Sequence, residues 1–258
     1  MKTGMVVFAL AALVAPRGFA QDMGDEGAAK SNLEKVLQKL AECTSYEFSG
    51  TTRTEGGPGG GKRREAIPVE GAYSKETGLL AKAKAAKGCE WATTSEGTAY
   101  HELPEGEWKR LEERAAGERE PGREGRRGGG LEMMIRNFRP PHEILAILAG
   151  GLPDAKIEAV PEGKDTVYTL ELSSELARKI SPFRPKFDRA PDAASGTARV
   201  WTLEGNVRAY DIQTEISATM GERELNLKWT AETKLSDFNG TVEIPKEALE
   251  ALEQKDRG

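Results

Sequence analysis

The 258-residue chain is poor in the residues that usually carry chemistry, with two histidines, two cysteines and 6% aromatic residues. His101 and His142 have no zincin-type neighbours, so a histidine-based metal site is not indicated. No Gly-x-Ser-x-Gly elbow occurs, and Cys43 and Cys89 lie too far apart in sequence for a Cys-x-x-Cys pair. Carboxylates are plentiful, but those in the strand-like stretches alternate with lysines, as on a solvated face. No metal site, cofactor or catalytic residue is expected, although two distant carboxylates could still meet in a cleft, as in glycoside hydrolysis.

Long apolar runs are also scarce. The one near the start, Met5 to Ala15, falls short of the roughly 20 residues that span a bilayer. Lys2 precedes it, and Pro16-Arg17-Gly18-Phe19-Ala20 follows with small residues suited to cleavage before Gln21. Residues 1–20 therefore read as a signal peptide, and 21–30 as a flexible lead-in. No cysteine stands at the cleavage point to take a lipid, so the expected form is exported, periplasmic or extracellular, soluble, and at most peripheral to a membrane. Cleavage removes Lys2 and Arg17 and takes the formal charge from -5 to -7. An acidic protein of this kind is a poor partner for nucleic acid. In an oxidising compartment the cysteine pair, Cys43 and Cys89, suggests a disulfide.

What is present is alternation. From Glu224 to Leu235 the apolar set Leu225, Leu227, Trp229, Ala231 and Leu235 occupies every second position with Thr233, while charged and polar residues fill the others. The preceding stretch repeats the pattern with Tyr210, Ile212, Thr214, Ile216, Ala218 and Met220. Such strict period-two patterning marks antiparallel strands with one face in a core. These strands are much longer than average, so their sheet must twist and curl. Turn signals stand at Glu204-Gly205-Asn206 and Met220-Gly221-Glu222.

Further strands are expected over Thr44–Arg53, Arg64–Tyr73, Gly78–Lys87, Cys89–Thr94, Thr98–Leu103, Asp154–Val160 and Asp165–Leu172. Ser31 and Glu34 read as a capping box ahead of a helix with the stripe Leu33, Val36, Leu37, Leu40 and Ala41. Shorter helices are expected over Leu131–Phe138, Pro141–Ala149, Ser174–Ile180 and Lys246–Glu253. The fold class is therefore α+β, a curved antiparallel sheet of about 9–11 strands with helices against it.

Three segments invite over-reading. Gly56 to Lys62 has the spacing of a phosphate-binding loop, but Arg63 replaces the magnesium-binding hydroxyl and a strand follows, so it is a hairpin loop. Glu112–Gly130 balances five Glu against five Arg among glycines and reads as a solvated insertion, not an RNA-binding tract. Asn239-Gly240-Thr241 fits a glycosylation acceptor, and turn chemistry explains it equally well. Residues 31–258 read as one domain carrying the 112–130 insertion.

The order of these parts resembles the lipoprotein-carrier superfamily, the LolA- and LolB-type carriers and LppX-like lipid-binding proteins. The resemblance rests on Tyr46-Glu47-Phe48-Ser49-Gly50-Thr51, on Gly97-Thr98-Ala99-Tyr100 followed by Gly106-Glu107-Trp108-Lys109, and on Thr197-Ala198-Arg199-Val200-Trp201 with Leu235 to Pro245. It implies an unclosed half-barrel whose concave face holds lipid or lipoprotein acyl chains, as a carrier or sensor. The apolar-face candidates are then Tyr210, Ile212, Ile216, Leu225, Leu227, Trp229 and Leu235, with Ile144 and Leu148 from a covering helix. The alternatives are a self-filled structural or protein-binding envelope module and, third, a hydrolase with an unrecognised carboxylate site. Possible partners are an acyl ligand and an envelope protein.

Overall fold

The computed structural model describes residues 26–56, 65–84, 88–112, 129–182, 193–220 and 223–253. The expected signal peptide, the glycine loop after Gly56, nearly all of the 112–130 insertion, the proline-rich stretch after Pro182 and the Gly221-Glu222 turn lie outside them.

Among the described residues eleven strands form one antiparallel sheet. They are β1 (Ser45–Gly56), β2 (Ile67–Ser74), β3 (Gly78–Ala83), β4 (Cys89–Thr94), β5 (Gly97–Glu102), β6 (Lys109–Arg110), β7 (Lys156–Glu162), β8 (Asp165–Leu172), β9 (Ala193–Leu203), β10 (Asn206–Met220) and β11 (Arg223–Ser236). Their order is β6-β5-β4-β3-β2-β1-β11-β10-β9-β8-β7. Two meanders thus meet where the first strand pairs with the last, with Phe48 opposite Leu235 and Thr54 opposite Trp229. The edge strands β6 and β7 do not pair with each other, so the curved sheet stays unclosed. Between β9 and β10, Glu204 and Gly205 both take positive φ (52° and 74°). That combination is the two-residue turn whose twist suits a hairpin.

The helices are α1 (Glu26–Glu42), α2 (Gly129–Asn137), α3 (Pro141–Gly151), α4 (Ser174–Ile180) and α5 (Lys246–Glu253). None is long and apolar enough to cross a membrane. The start expected at Ser31 moves back to Glu26, leaving the supposed cap inside the helix. Ala29 continues the buried stripe one turn before Leu33, and Lys30 pairs with Glu26 at 3.1 Å. These contacts outweigh the local capping signal. Residues 26–30 of the expected lead-in are accordingly helical. At the other end Ala41 is exposed, not part of the stripe.

α1 to α4 all contribute to one continuous core on the inner face of the sheet. α1 lies against β7 and β10, α3 against α1 and α4, and α4 against β8, β9 and β10. α4 is capped by Ser173, whose hydroxyl accepts the Leu176 N–H at 3.3 Å. Towards the β6 edge, the Phe138 ring between α2 and α3 stacks on Phe48 (5.9 Å) and meets Trp91 edge-on (5.1 Å). α5 departs from the one-sided plan and packs on the outer face. Its Ala248, Ala251 and Leu252 cover Ala92, Ala99 and Leu80, and Arg110 donates to the carbonyls of Leu252 and Glu96.

The expected disulfide does not form; both cysteines are free thiols. Cys43 opens the α1–β1 connection and its Sγ lies 3.5 Å from the Lys39 carbonyl. Cys89 is fully buried on β4. β1 and β4 are three strand spacings apart, about 14 Å, and a disulfide needs Cα atoms within roughly 7 Å. Cys89 also sits at the end of β4 that pairs with Ala83, whereas the Cys43 end of the sheet meets Gly78 and Thr93.

Candidate functional site

The alternation read on the two longest strands places one set of side chains inward on both. Across the β10–β11 pair, Tyr210 faces Thr233, Ile212 faces Ala231, Thr214 faces Trp229, Ile216 faces Leu227 and Ala218 faces Leu225. Strand β9 adds Val200, Ala198, Gly196 and Ala194 opposite Tyr210, Ile212, Thr214 and Ile216. These inward positions carry no charged residue, so the face is a hydrocarbon surface interrupted by hydroxyls.

Its two ends differ. At the proximal end, Tyr210, Ile212 and Leu235 are buried in the same cluster as Leu33, Val36 and Leu37 of α1 and Ile144, Leu145 and Leu148 of α3. Burying each such side chain contributes about 1.5–3 kcal/mol, so this packing is where the sheet and helices are held together. The few polar groups here have partners. The Tyr210 hydroxyl bonds Thr233, and burial raises its pKa. The Tyr46 hydroxyl lies 2.8 Å from His142 Nδ1 and accepts the His142 N–H at 3.1 Å. Tyr73 stacks on the same imidazole at 3.8 Å. Burial, with Lys75 nearby, pushes His142 down to about 4. The ring is therefore neutral near pH 7, and its two contacts with the Tyr46 hydroxyl pin the first turn of α3 to β1.

At the distal end the strands outrun that packing. β10 has 15 residues and spans about 50 Å, while the 11 residues of α3 span about 16 Å. α4 reaches the level of Ile216, since Ser174 Oγ donates to the Ala194 carbonyl at 2.6 Å and Ala194 pairs with Ile216. Farther out, Ala218 and Leu225 face one another, both buried but outside the continuous core, and Leu227 is half-buried. Thr52 and Thr54 of β1 sit beside Ala231 and Trp229 and are also half-buried.

A separate cleft of about 430 Å³ lies between α3 and α4, lined by Arg139, Glu143, Ile147, Glu175, Arg178 and Lys179. Lys179 pairs with Glu175 at 2.6 Å, and Arg139 donates to the carbonyls of Lys179 and Ile180. Five of its six walls are charged, so an alkyl chain would strip water from charges there without compensation. Its contacts tie the α2–α3 connection to the end of α4. Among the described residues no group of three His, Cys, Asp or Glu is placed to hold a metal.

No family model and no curated protein sequence matches the chain. Among solved structures it is similar to the lipoprotein LppX of Mycobacterium tuberculosis. That pair has 13% identity over 86% of this chain and 100% of the other, with a TM-score of 0.46. LprF of Mycobacterium bovis is similar at 12% identity over 86% and 98%, with a TM-score of 0.48. A DUF1329 family protein of Desulfovibrio piger is similar at 8% identity over 86% and 96%, with a TM-score of 0.28.

Of the residues singled out from the sequence, Tyr210, Ile212, Leu235, Ile144 and Leu148 fall in the proximal packing, with Ile216 and Trp229 at the boundary and Leu225 and Leu227 beyond. Sequence reasoning missed the Tyr46–His142–Tyr73 group. Tyr46 was legible as one of an alternating pair with Phe48. Its meeting with His142, 96 positions away, was not.

Proposed function

We propose that the protein is an exported envelope protein that holds acyl chains against the distal half of its concave face, as a carrier or sensor. The observation that supports it is the continuation of an uncharged inner face, through Trp229, Leu227 and Leu225, past the side chains of α1 and α3. Trp229 and Leu225 are buried by the chain itself and Leu227 is half-buried, so an alkyl chain would seat over Leu227 and complete the cover of that end. The residues proposed to line the ligand are Ile216, Leu225, Leu227 and Trp229, while Tyr210, Ile212, Leu235, Ile144 and Leu148 form the floor that ends the slot. The leader read at 1–20 supports an envelope location, and a protein that delivers or receives lipid there is the expected partner.

The rival reading is a self-filled structural module. The tight proximal packing of Leu148 and Leu33, both 0% exposed, favours it for that half of the face. Mass spectrometry of solvent extracts from the exported, folded protein separates the two. Stoichiometric acyl lipid is the expected result, and lipid-free protein that leaves Trp229 emission unchanged on titration with acyl probes would reject the carrier.

A further inference from the structure

The cleft between α3 and α4 arranges its charges differently from the outer face of the sheet. There, opposite charges touch: Lys84 Nζ lies 2.8 Å from Glu70, and Lys228 Nζ 3.2 Å from Glu215. Between the helices, charges of both signs stand around an open hollow of about 430 Å³. Small-molecule sites commonly measure about 300–1,000 Å³, so the hollow is large enough to take a ligand.

Helix periodicity sets its walls. Glu143 and Ile147 share one face of α3 at i, i+4, and Glu175, Arg178 and Lys179 share one face of α4 at i, i+3, i+4. Arg139, just ahead of α3, adds the remaining wall. Within α4, Lys179 Nζ lies 2.6 Å from Glu175, and the two charges cancel. The Lys179 and Ile180 carbonyls that Arg139 bonds are neutral acceptors, so its charge stays in the cleft. To the Lys179–Glu175 pair the walls thus add two guanidinium groups and the Glu143 carboxylate.

A guanidinium fork matches phosphate oxygens, and a carboxylate matches an ammonium N–H. A plain anion would set its charge beside Glu143, and a plain cation beside two arginines. A zwitterion suits both, with Ile147 as an apolar wall for the link between its charges.

We infer that the α3–α4 cleft binds a zwitterionic head group, a phosphodiester joined by a short alkyl link to a primary ammonium, with Arg139 and Arg178 on the phosphate and Glu143 on the ammonium. The site is separate from the acyl slot and does not depend on it. A lipid head and a free glycerophosphodiester share this chemistry, and the experiment separates them.

Isothermal titration calorimetry of the exported, folded protein compares glycerophosphoethanolamine with glycerophosphoglycerol, which lacks the ammonium. The wild type is expected to bind the first roughly 3- to 10-fold more tightly. Glu143→Gln, at an exposed position, is expected to bind the two alike. Arg178→Gln is expected to weaken both by about tenfold, and if it fails to fold, the Glu143→Gln comparison decides alone. No binding of glycerophosphoethanolamine, equal binding of the two compounds by the wild type, or a preference that survives Glu143→Gln overturns the inference. Flotation then names the source. Binding to vesicles of phosphatidylcholine with phosphatidylethanolamine beyond that to phosphatidylcholine alone, whose ammonium has no N–H, assigns the head group to a lipid. Calorimetric binding without flotation assigns it to a free phosphodiester. Acyl-probe uptake should be the same in the wild type and Glu143→Gln, so failure of this site and failure of the carrier reading are read separately.

Discussion

The proximal and distal halves of the concave face are built from the same strands with the same alternation, yet they are finished differently. Tyr210, Ile212 and Leu235 meet the side chains of α1 and α3 and vanish into the core. Six to eight residues beyond Tyr210, about 20–27 Å farther along, Leu227 is half-buried, and Leu225 is buried but outside that core. Alternation says which side chains share a face. What covers that face depends on how far each helix reaches, and the helices are shorter than the strands.

The largest effect should come from cutting both halves equally. Leu148→Ala removes a fully buried side chain and is expected to cost about 3–5 kcal/mol, because the cavity it leaves cannot collapse against packed neighbours. Leu227→Ala removes the same atoms from a half-buried position and is expected to cost about 1 kcal/mol or less. Urea unfolding of the two variants of delipidated protein measures both. Equal losses would mean that the two halves are packed alike, and the distinction between floor and slot would fall.

A second pair sharpens the comparison on the ligand side. Leu227→Glu is expected to weaken acyl-probe uptake by about tenfold or more, since a carboxylate has no partner on that face. A charge at Leu249, on the outward helix α5, should leave uptake unchanged. Uptake that survives Leu227→Glu would move the ligand off the distal half.

How much of this was legible follows the range of the interaction that decides it. The strands β10 and β11, and the helices α4 and α5, were expected close to where they lie, because alternation, a Ser cap and proline positions act within a few residues. The start of α1 was misplaced because Ser31 and Glu34 make a sound local cap, while the Glu26–Lys30 pair and the burial of Ala29 are tertiary consequences. The outer-face seat of α5 had a signal that went unread: Leu80, Ala92 and Ala99 stand side by side as an apolar set at outward positions. The disulfide failed for a reason no count of cysteines contains, since it depends on the two strands, β2 and β3, that stand between β1 and β4.

A pH series probes the pin between α3 and β1. His142 is held at about 4 in the folded protein against an ordinary value near 6.5. Between those values the unfolded chain takes up a proton that the folded one does not. Stability is therefore full above pH 6.5 and falls as the pH drops towards 4. The whole shift would exceed 3 kcal/mol, but the ring is only part-buried, so solvent screening reduces the expected loss to on the order of 1–2 kcal/mol. His142→Gln should flatten the slope over that window, and an unchanged slope would place the proton elsewhere.

The smallest effect concerns the cysteines, and it is the one that most directly checks the register of the β1–β4 meander. With no bond between them, dithiothreitol should leave the melting temperature unchanged, where breaking a disulfide across that span would cost roughly 4 kcal/mol. Alkylation should also be uneven. Cys43 is part-exposed beside the end of α1, so a maleimide should reach it in the native protein. Cys89 is fully buried, and that burial, with the Glu102 charge, pushes its thiol up to about 11. It should stay unlabelled until the sheet is unfolded, because thiolate is the reactive form and little of it exists near neutral pH. One label on the native protein and two in denaturant is the expected mass-spectrometric result. Labelling of Cys89 in the native state would mean that the β4 end of the sheet is open, and that the proximal floor does not extend beneath it.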